Sequence, residues 1–160
     1  MFTIILVCFG TYQGTIEESN KPLDLELHYN NLRDRYTGCT YVDGNLEITW
    51  ISRTSNLDFL QHIREVTGYV LISDVRVEEL NLPQLQIIRG RELFQYEYMK
   101  KVYGLFVYSS NIINITLPTL KEIIHGSVGI VNTVIRCILK TIDWDEITSG
   151  NKSSSLSIKY

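Results

Sequence analysis

The sequence predicts a mainly β protein built as a solenoid of short repeated strands. A segment that alternates apolar and polar residues occurs four times, starting at Gly44, Gly68, Tyr103 and Gly126. These starts lie 24, 35 and 23 residues apart. One short strand in each unit, with a period in the twenties, is typical of a solenoid, whose units bury their apolar residues against their neighbours.

The composition is that of one folded domain. Of the 160 residues, 44% are hydrophobic and 21% are charged, as in ordinary globular chains. The net charge is −3 and no basic stripe is present, which argues against a nucleic-acid partner. The three cysteines form no Cys-x-x-Cys pair and no cluster with histidine, so a zinc site is not expected. In a secreted protein, an odd number leaves one cysteine to pair outside the chain or to stay a free thiol.

Two segments precede the repeat. Residues 1–7 are apolar apart from one threonine, but they are far shorter than the roughly 20 residues that span a bilayer. We interpret them as a signal-peptide remnant or a truncated start. An apolar stripe at helical spacing then predicts a helix over about residues 23–36, packed on the first unit. Its members are Leu25, Tyr29, Leu32 and Tyr36.

The other segments are assigned from their place in the repeat. The longer third spacing contains a charged and aromatic insertion near residues 91–101, and such insertions form loops that often carry the binding face. Trp144, with Ile142 and Ile147 around it, is expected to close the C-terminal end of the core. The polar, serine-rich segment of residues 148–160 predicts a disordered tail.

The outward-facing strand residues form a candidate interface. In the alternating frame, Leu71 and Phe106 share one row, Tyr108 lies in the next row, and Trp50 and Asp74 come one step further along. Together they would leave a large apolar and aromatic area on a sheet face, which usually marks an interface. The alternative is that the chain's own loops or its helix cover these side chains.

No catalytic constellation is present in the sequence. The three histidines are His28, His62 and His125, and the last two lie inside apolar segments between strands. Asp143 and Asp145 flank a tryptophan and do not define a groove with converging carboxylates. The glycines do not form a phosphate loop. The sequence therefore favours binding over catalysis, with no cofactor and no metal.

Two sequons for N-glycosylation occur. Asn114-Ile115-Thr116 follows the third strand, and Asn151-Lys152-Ser153 lies in the tail. A turn after a strand is a suitable exposed position, so Asn114 is the predicted glycosylation site of a secreted chain.

Several segments also occur in a specific order and spacing. They are Cys8-Phe9-Gly10-Thr11, Gly44–Thr49, Glu65–Ile72, Leu85–Gly90, Glu122–Val128 and the ending Cys137…Ile142-Asp143-Trp144-x-x-Ile147. Over residues 8–147 the chain thereby resembles a receptor L domain, in particular the first ligand-binding L domain of the epidermal growth factor receptor (ErbB) family. The insulin receptor branch shares the fold and the Ile-Asp-Trp ending, so an insulin receptor-like L domain is the alternative.

The resemblance implies a structure. It implies a short right-handed β-helix, a leucine-rich-repeat-like solenoid with an N-terminal capping α-helix. It also implies a disulfide between Cys8 and Cys39, and a bond from Cys137 to a cysteine outside this chain, in a cysteine-rich domain. The implied location is extracellular, as part of a plasma-membrane receptor or as a secreted fragment.

The resemblance also implies a function. The chain would be the non-catalytic ligand-binding domain of an epidermal growth factor receptor-like tyrosine kinase receptor, and would capture a growth factor-like polypeptide on its sheet face. A second L domain would share the ligand, and receptor dimerisation is a further implied interaction. Trp50 stands where the family has tyrosine, and Asp74 and Tyr108 stand where it has leucines, so we expect a different ligand, or binding that is weaker or lost. The chain could also be a soluble truncated decoy, or a structural solenoid without a ligand.

Overall fold

The computed structural model describes residues 4–11, 20–133, 142–148 and 156–159. Within these ranges the chain is mainly β, which confirms the predicted class. The strands are β1 (Val7–Phe9), β2 (Tyr41–Asp43), β3 (Leu46–Ile51), β4 (Glu65–Val66), β5 (Val70–Val75), β6 (Glu79–Asn81), β7 (Ile87–Ile88), β8 (Phe94–Gln95), β9 (Val102–Tyr108), β10 (Asn114–Thr116), β11 (Glu122–Ile123), β12 (Ser127–Val131) and β13 (Leu156–Lys159). The helices are α1 (Leu25–Tyr36), a 3-10 helix (Asp58–Leu60) and α2 (Trp144–Ile147).

The four strands predicted from the repeat lie side by side in one sheet, called here the large sheet. Its order is β13-β12-β9-β5-β3, all parallel, with β8 added antiparallel to β9. A second parallel sheet has the order β1-β2-β4-β7-β11, and β6 and β10 form a parallel pair. Each unit therefore contributes strands to more than one sheet, as expected of a chain that repeats the same path.

The main core is lined by all three sheets and by both α-helices. Its centre is two rows of aliphatic side chains that are in register across the large sheet. One row is Leu46, Val70, Leu105 and Val128, and the next is Ile48, Ile72, Val107 and Ile130. All eight side chains are buried. Because each buried aliphatic side chain contributes about 1.5–3 kcal/mol, these rows are a major source of stability.

The helix α1 matches the predicted apolar stripe over most of its length. Leu32 and Tyr36 are buried in the main core, and Tyr29 packs against its edge. The helix begins later than predicted because the side chain of Asp24 accepts a hydrogen bond from the backbone N–H of Leu27 at 2.9 Å and caps the first turn. Leu25 consequently lies in the exposed first turn. Among the described residues, no helix has the length and apolarity that a bilayer crossing requires.

The disulfide between Cys8 and Cys39, which the family resemblance implied, is present, with the two Cα atoms 5.9 Å apart. It closes the loop that carries α1. Val7 pairs with Tyr41 in the same sheet, and the carbonyl of Leu6 accepts a hydrogen bond from the backbone N–H of Thr40. Residues 6 and 7 therefore join the domain that was predicted to begin at residue 8. The predicted bond of Cys137 lies outside the described residues.

The C-terminal part agrees with one prediction and departs from another. Trp144 and Ile147 are buried in the main core, and Ile142 packs against it, as expected. Residues 156–159, however, form β13 instead of the expected disordered chain. The physical reason is the edge of β12, whose unpaired backbone groups accept a further parallel strand.

Replacing both bonded cysteines, Cys8→Ser with Cys39→Ser, is expected to lower the free energy of unfolding by roughly 3–4 kcal/mol, because the crosslink restricts a loop of about 30 residues in the unfolded chain. Equilibrium denaturant unfolding measures the loss. The exposed Glu79→Ala is the control and should change stability by less than about 0.5 kcal/mol. An unfolding midpoint equal to that of the oxidised wild type would contradict the expected stabilisation.

Candidate functional site

The strands of the large sheet end in a shared backbone turn. Trp50 and Asp74 are the penultimate residues of β3 and β5, and Ser109 and Asn132 directly follow β9 and β12; the φ angles of the four residues are 56°, 54°, 45° and 50°. The strand residues before them are paired in register, so the four residues form a column across the sheet, at the carboxyl ends of its strands. We call this column the corner row. Asp and Asn tolerate a positive φ, whereas a bulky residue rarely adopts one.

Trp50 is the unusual member of the corner row. A tryptophan held at a positive φ costs on the order of 1–3 kcal/mol and persists only where its surroundings fix it. The carbonyl of Thr49 accepts a hydrogen bond from Nε2 of His28 at 2.7 Å, and Nζ of Lys21 lies 5.7 Å from the indole centroid. The Trp50 side chain is 7% exposed. Strained residues of this kind cluster at functional sites, which makes Trp50 a candidate.

A groove of about 270 Å³ lies beside Trp50 and Asp74. Its other lining residues are Lys21, Leu25, Ile51, Ser52, Arg53 and Arg76. Three of these side chains are cationic, whereas Asp74 is the one carboxylate that lines the groove, and Arg53 is paired with Glu78 at 2.8 Å. The net charge of the whole chain is −3, whereas cationic side chains predominate in the groove.

The outer face of the large sheet is covered by the insertion. Phe94 and Tyr96 lie over this face, with ring centroids 5.0 and 5.4 Å from that of Phe106. The predicted row is present, since Leu71 pairs with Phe106, but both side chains are 0% exposed. Leu71 and Phe106, which were predicted to contact a ligand, are therefore not accessible to one. They support the insertion, in agreement with the possibility that the chain's own loops cover them.

The accessible aromatic surface lies at the rim of this cover. Tyr108 is half-buried, with its ring centroid 5.3 Å from that of Tyr96, and Tyr98 is 78% exposed. Burial, followed by a hydrogen bond with Tyr108, raises the pKa of Tyr96 to about 12. The described structure therefore offers tyrosine side chains to a partner at the rim of the insertion.

A polar cluster around the buried carboxylate of Glu47 attaches two segments to the outer face of the large sheet. The carboxylate of Glu47 accepts hydrogen bonds from Oγ1 of Thr11 and the hydroxyl of Tyr69, both at 2.6 Å. Nδ2 of Asn45 donates to the carbonyl of Thr11 at 3.0 Å and to Oε2 of Glu92 at 2.9 Å. These five residues are called the polar clamp. They join the amino-terminal segment and the insertion to β3 and β5, and they satisfy a buried carboxylate that would otherwise be costly.

The structure brings some of the predicted site residues together and separates others. Trp50 and Asp74 are neighbours in the corner row, as the repeat frame implied. Tyr108 lies one residue before the corner, which Ser109 occupies. Sequence reasoning missed Ser109 and Asn132, although extending the frame one residue past β9 and β12 would have found both. Among the described residues, no group of His, Cys, Asp or Glu side chains could hold a metal ion.

The fold is a set of parallel strands that pair in register and share one corner, and comparison with known proteins shows its family. Residues 38–148 match the family model described as the receptor L domain. The match covers more than half of the chain, and the chain belongs to the receptor L domain family.

Its curated relatives are receptors of the epidermal growth factor receptor and ErbB type. The chain is 48% identical over 145 residues to the epidermal growth factor receptor of Drosophila melanogaster, covering 90% of this chain and 10% of that protein. It is 34% identical over 165 residues to the human receptor tyrosine-protein kinase erbB-4, covering 96% and 13%. It is 33% identical over 149 residues to erbB-2 of Mesocricetus auratus, covering 86% and 12%. The chain thus spans about a tenth of the length of these relatives.

Removing the central carboxylate of the polar clamp by Glu47→Ala is expected to cost about 3 kcal/mol, because two hydrogen bonds to a charged group are lost and the Tyr69 hydroxyl is left buried without its acceptor. Denaturant unfolding measures the loss. Glu79→Ala removes an exposed glutamate and is the matched control. Unchanged stability would show that the Glu47 carboxylate does not hold the clamp together.

The free energy of unfolding is expected to fall as the pH rises above about 10, the pKa of tyrosine in an unfolded chain. Burial raises the pKa values of Tyr36, Tyr69 and Tyr96, so the folded state keeps phenolic protons that the unfolded chain loses. Their contribution is complete below that pH and is lost as the pH rises through the folded values, about 12 for Tyr96. Denaturant titrations between pH 8 and pH 11 measure this slope.

The control for this slope is Tyr36→Phe. The buried Tyr36 hydroxyl has no hydrogen-bond partner in the described structure, so its removal should flatten the slope and raise stability by about 1 kcal/mol at neutral pH. A variant with the wild-type slope would rule out Tyr36 as a contributor.

Proposed function

We propose that this chain is the extracellular ligand-binding L domain of an epidermal growth factor receptor-like tyrosine kinase receptor. It presents the corner row, the adjoining groove and the tyrosine rim to a growth factor-like polypeptide. The observation that carries the proposal is the strained and buried Trp50 beside a cation-lined groove, in a member of the receptor L domain family. The chain supplies a binding surface, and the kinase belongs to another part of the full-length receptor.

The proposal includes the finer description of the fold. Parallel strands from successive units, stacked in register, support a short right-handed β-helix of the leucine-rich-repeat-like kind. The contacts of α1 with β1 and β3 support its role as the N-terminal cap. In this arrangement the corner row is one edge of the stack, where a polypeptide could touch all units at once.

The chemistry of the groove indicates what the polypeptide offers. Arg76 is exposed and forms no ion pair with the described residues, and Lys21 lies against the indole of Trp50. A ligand carboxylate would be attracted to these cations, while Asp74 provides a polar contact beside them. The exposed ring of Tyr98 adds an aromatic contact of the kind that is enriched in interfaces.

The partners of the full receptor follow from the same proposal. A second L domain shares the ligand, a cysteine-rich domain follows this one, and ligand capture promotes a receptor dimer. The chain alone would then hold part of the interface and bind weakly, because linked sites gain from high effective concentration. Binding is therefore best measured on the receptor ectodomain that contains this chain.

A panel of recombinant epidermal growth factor-like modules, titrated against the immobilised ectodomain, tests the proposal. Asp74→Asn and Tyr108→Ala are each expected to raise Kd about tenfold, equivalent to about 1.4 kcal/mol. Little change in thermal midpoint is expected, because asparagine also tolerates the positive φ of residue 74 and Tyr108 is partly exposed. Glu79→Gln removes the same charge as Asp74→Asn from a different sheet and should leave Kd unchanged.

The outcomes distinguish a ligand-binding domain from a purely structural one. Binding that is unaffected by both substitutions would place the ligand elsewhere on the receptor. No binding by any module would favour a structural solenoid without a growth-factor ligand. Trp50→Ala is less informative, because the buried ring contributes to stability as well as to the groove.

A further inference from the structure

We infer that His28 of helix α1 is a positioning residue for the candidate ligand site. Its imidazole holds the peptide group between Thr49 and Trp50, and thereby keeps the indole of Trp50 at the wall of the groove. His28 is half-buried and is not among the residues that line this groove, so it acts through Trp50. The effect on a ligand rests on the proposed function, whereas the positioning itself is a property of the free chain.

The imidazole of His28 makes a short contact with the backbone of β3. Its Nε2 lies 2.7 Å from the carbonyl oxygen of Thr49 and 3.5 Å from the hydroxyl oxygen of the same residue. A carbonyl oxygen can only accept a hydrogen bond, so Nε2 carries the proton and donates it. The carbonyl, which is much the nearer of the two oxygens, is therefore the group that His28 holds.

The Thr49 carbonyl faces the open edge of the large sheet. β3 is the last strand in the order of this sheet, and β5 is its neighbour. The N–H of Leu46 donates to the carbonyl of Tyr69, the residue before β5, at 2.9 Å. Backbone groups of successive strand residues alternate in direction, so those of Thr49, three residues further on, point away from β5. His28 thus supplies a donor on the side where the described sheet has no further strand.

This hydrogen bond acts on the strained member of the corner row. The Thr49 carbonyl belongs to the peptide group that leads into Trp50, and rotation about the next bond is the φ of Trp50, which is 56°. A bulky residue keeps a positive φ only where its surroundings fix it. Because His28 fixes the plane of this peptide group, it helps to hold the indole in its place, with Nζ of Lys21 5.7 Å from the ring centroid.

Helix α1 is a firm support for the imidazole. Two buried side chains anchor the helix in the main core. Tyr29, the residue after His28, donates its hydroxyl to the carbonyl of Asn56 at 2.7 Å. These two consecutive side chains therefore hold Thr49 and Asn56, on either side of the loop that follows β3. Residues of this loop line the groove, so α1 positions the loop together with Trp50.

The test compares His28→Met with His28→Gln in the complete chain, labelled with fluorotryptophan. Methionine and glutamine have unbranched side chains of similar helix propensity, but only glutamine can donate a hydrogen bond. The two tryptophans give separate fluorine NMR resonances, which Trp50→Phe assigns. We expect His28→Met to shift the Trp50 resonance and His28→Gln to leave it near its wild-type position. The resonance of Trp144, buried in the main core, should stay unchanged in both variants.

Three results would overturn the inference. An unshifted Trp50 resonance in His28→Met would show that the hydrogen bond does not hold the indole. Equal shifts in His28→Met and His28→Gln would show that the donor is irrelevant. Resonances of Trp50 and Trp144 that move together, or a His28→Met chain that does not fold, would show a general structural role instead of local positioning.

The effect on binding is measured on the receptor ectodomain, with the epidermal growth factor-like module that binds the wild type most tightly. His28→Met is expected to raise Kd about fivefold and His28→Gln less than about twofold, because only methionine removes the hydrogen bond. A wild-type Kd in His28→Met would overturn the inferred role in binding. If no module binds the wild type, the proposed function fails, and the fluorine spectra alone decide whether His28 positions Trp50.

Discussion

The register of the parallel strands in the large sheet is the constraint on which the other features depend. Leu46, Val70, Leu105 and Val128 form one inward row only because strands from distant segments pair without a slip. A shift of one residue would turn every apolar side chain of a strand to the opposite face. The same register makes the strands end together, so the corner row follows from the packing of the core.

The outer face of the same sheet carries both apolar residues, which need shielding from water, and a carboxylate, which needs hydrogen-bond partners. The insertion shields the apolar residues with aromatic rings that lie over Phe106. The polar clamp supplies the partners of the carboxylate, since the buried Glu47 accepts hydrogen bonds from two different segments. The surface that remains for a partner is therefore the edge of the sheet and the rim of the cover.

Much of the fold could be predicted from the sequence because its period is visible in single residues. The glycine-led alternation located the strands of the large sheet, and the apolar stripe located α1. The burial of Leu71 and Phe106 could not be predicted in this way, since it depends on β8 pairing with β9 and bringing Phe94 over the sheet. Likewise, the positive φ of Trp50 is set by the stacked turn and leaves no signal in residue type. The pairing of β13 depends on an open edge, which composition does not reveal.

The two apolar clusters lie on opposite faces of one sheet and are separate groups of buried residues. The inner cluster specifies the path of the chain, whereas the outer one carries the rings that shape the accessible rim. Sequence change in the outer cluster is thus insulated from the packing that defines the fold. Such a division allows the insertion and a few outward positions to change in sequence while the scaffold beneath keeps its architecture.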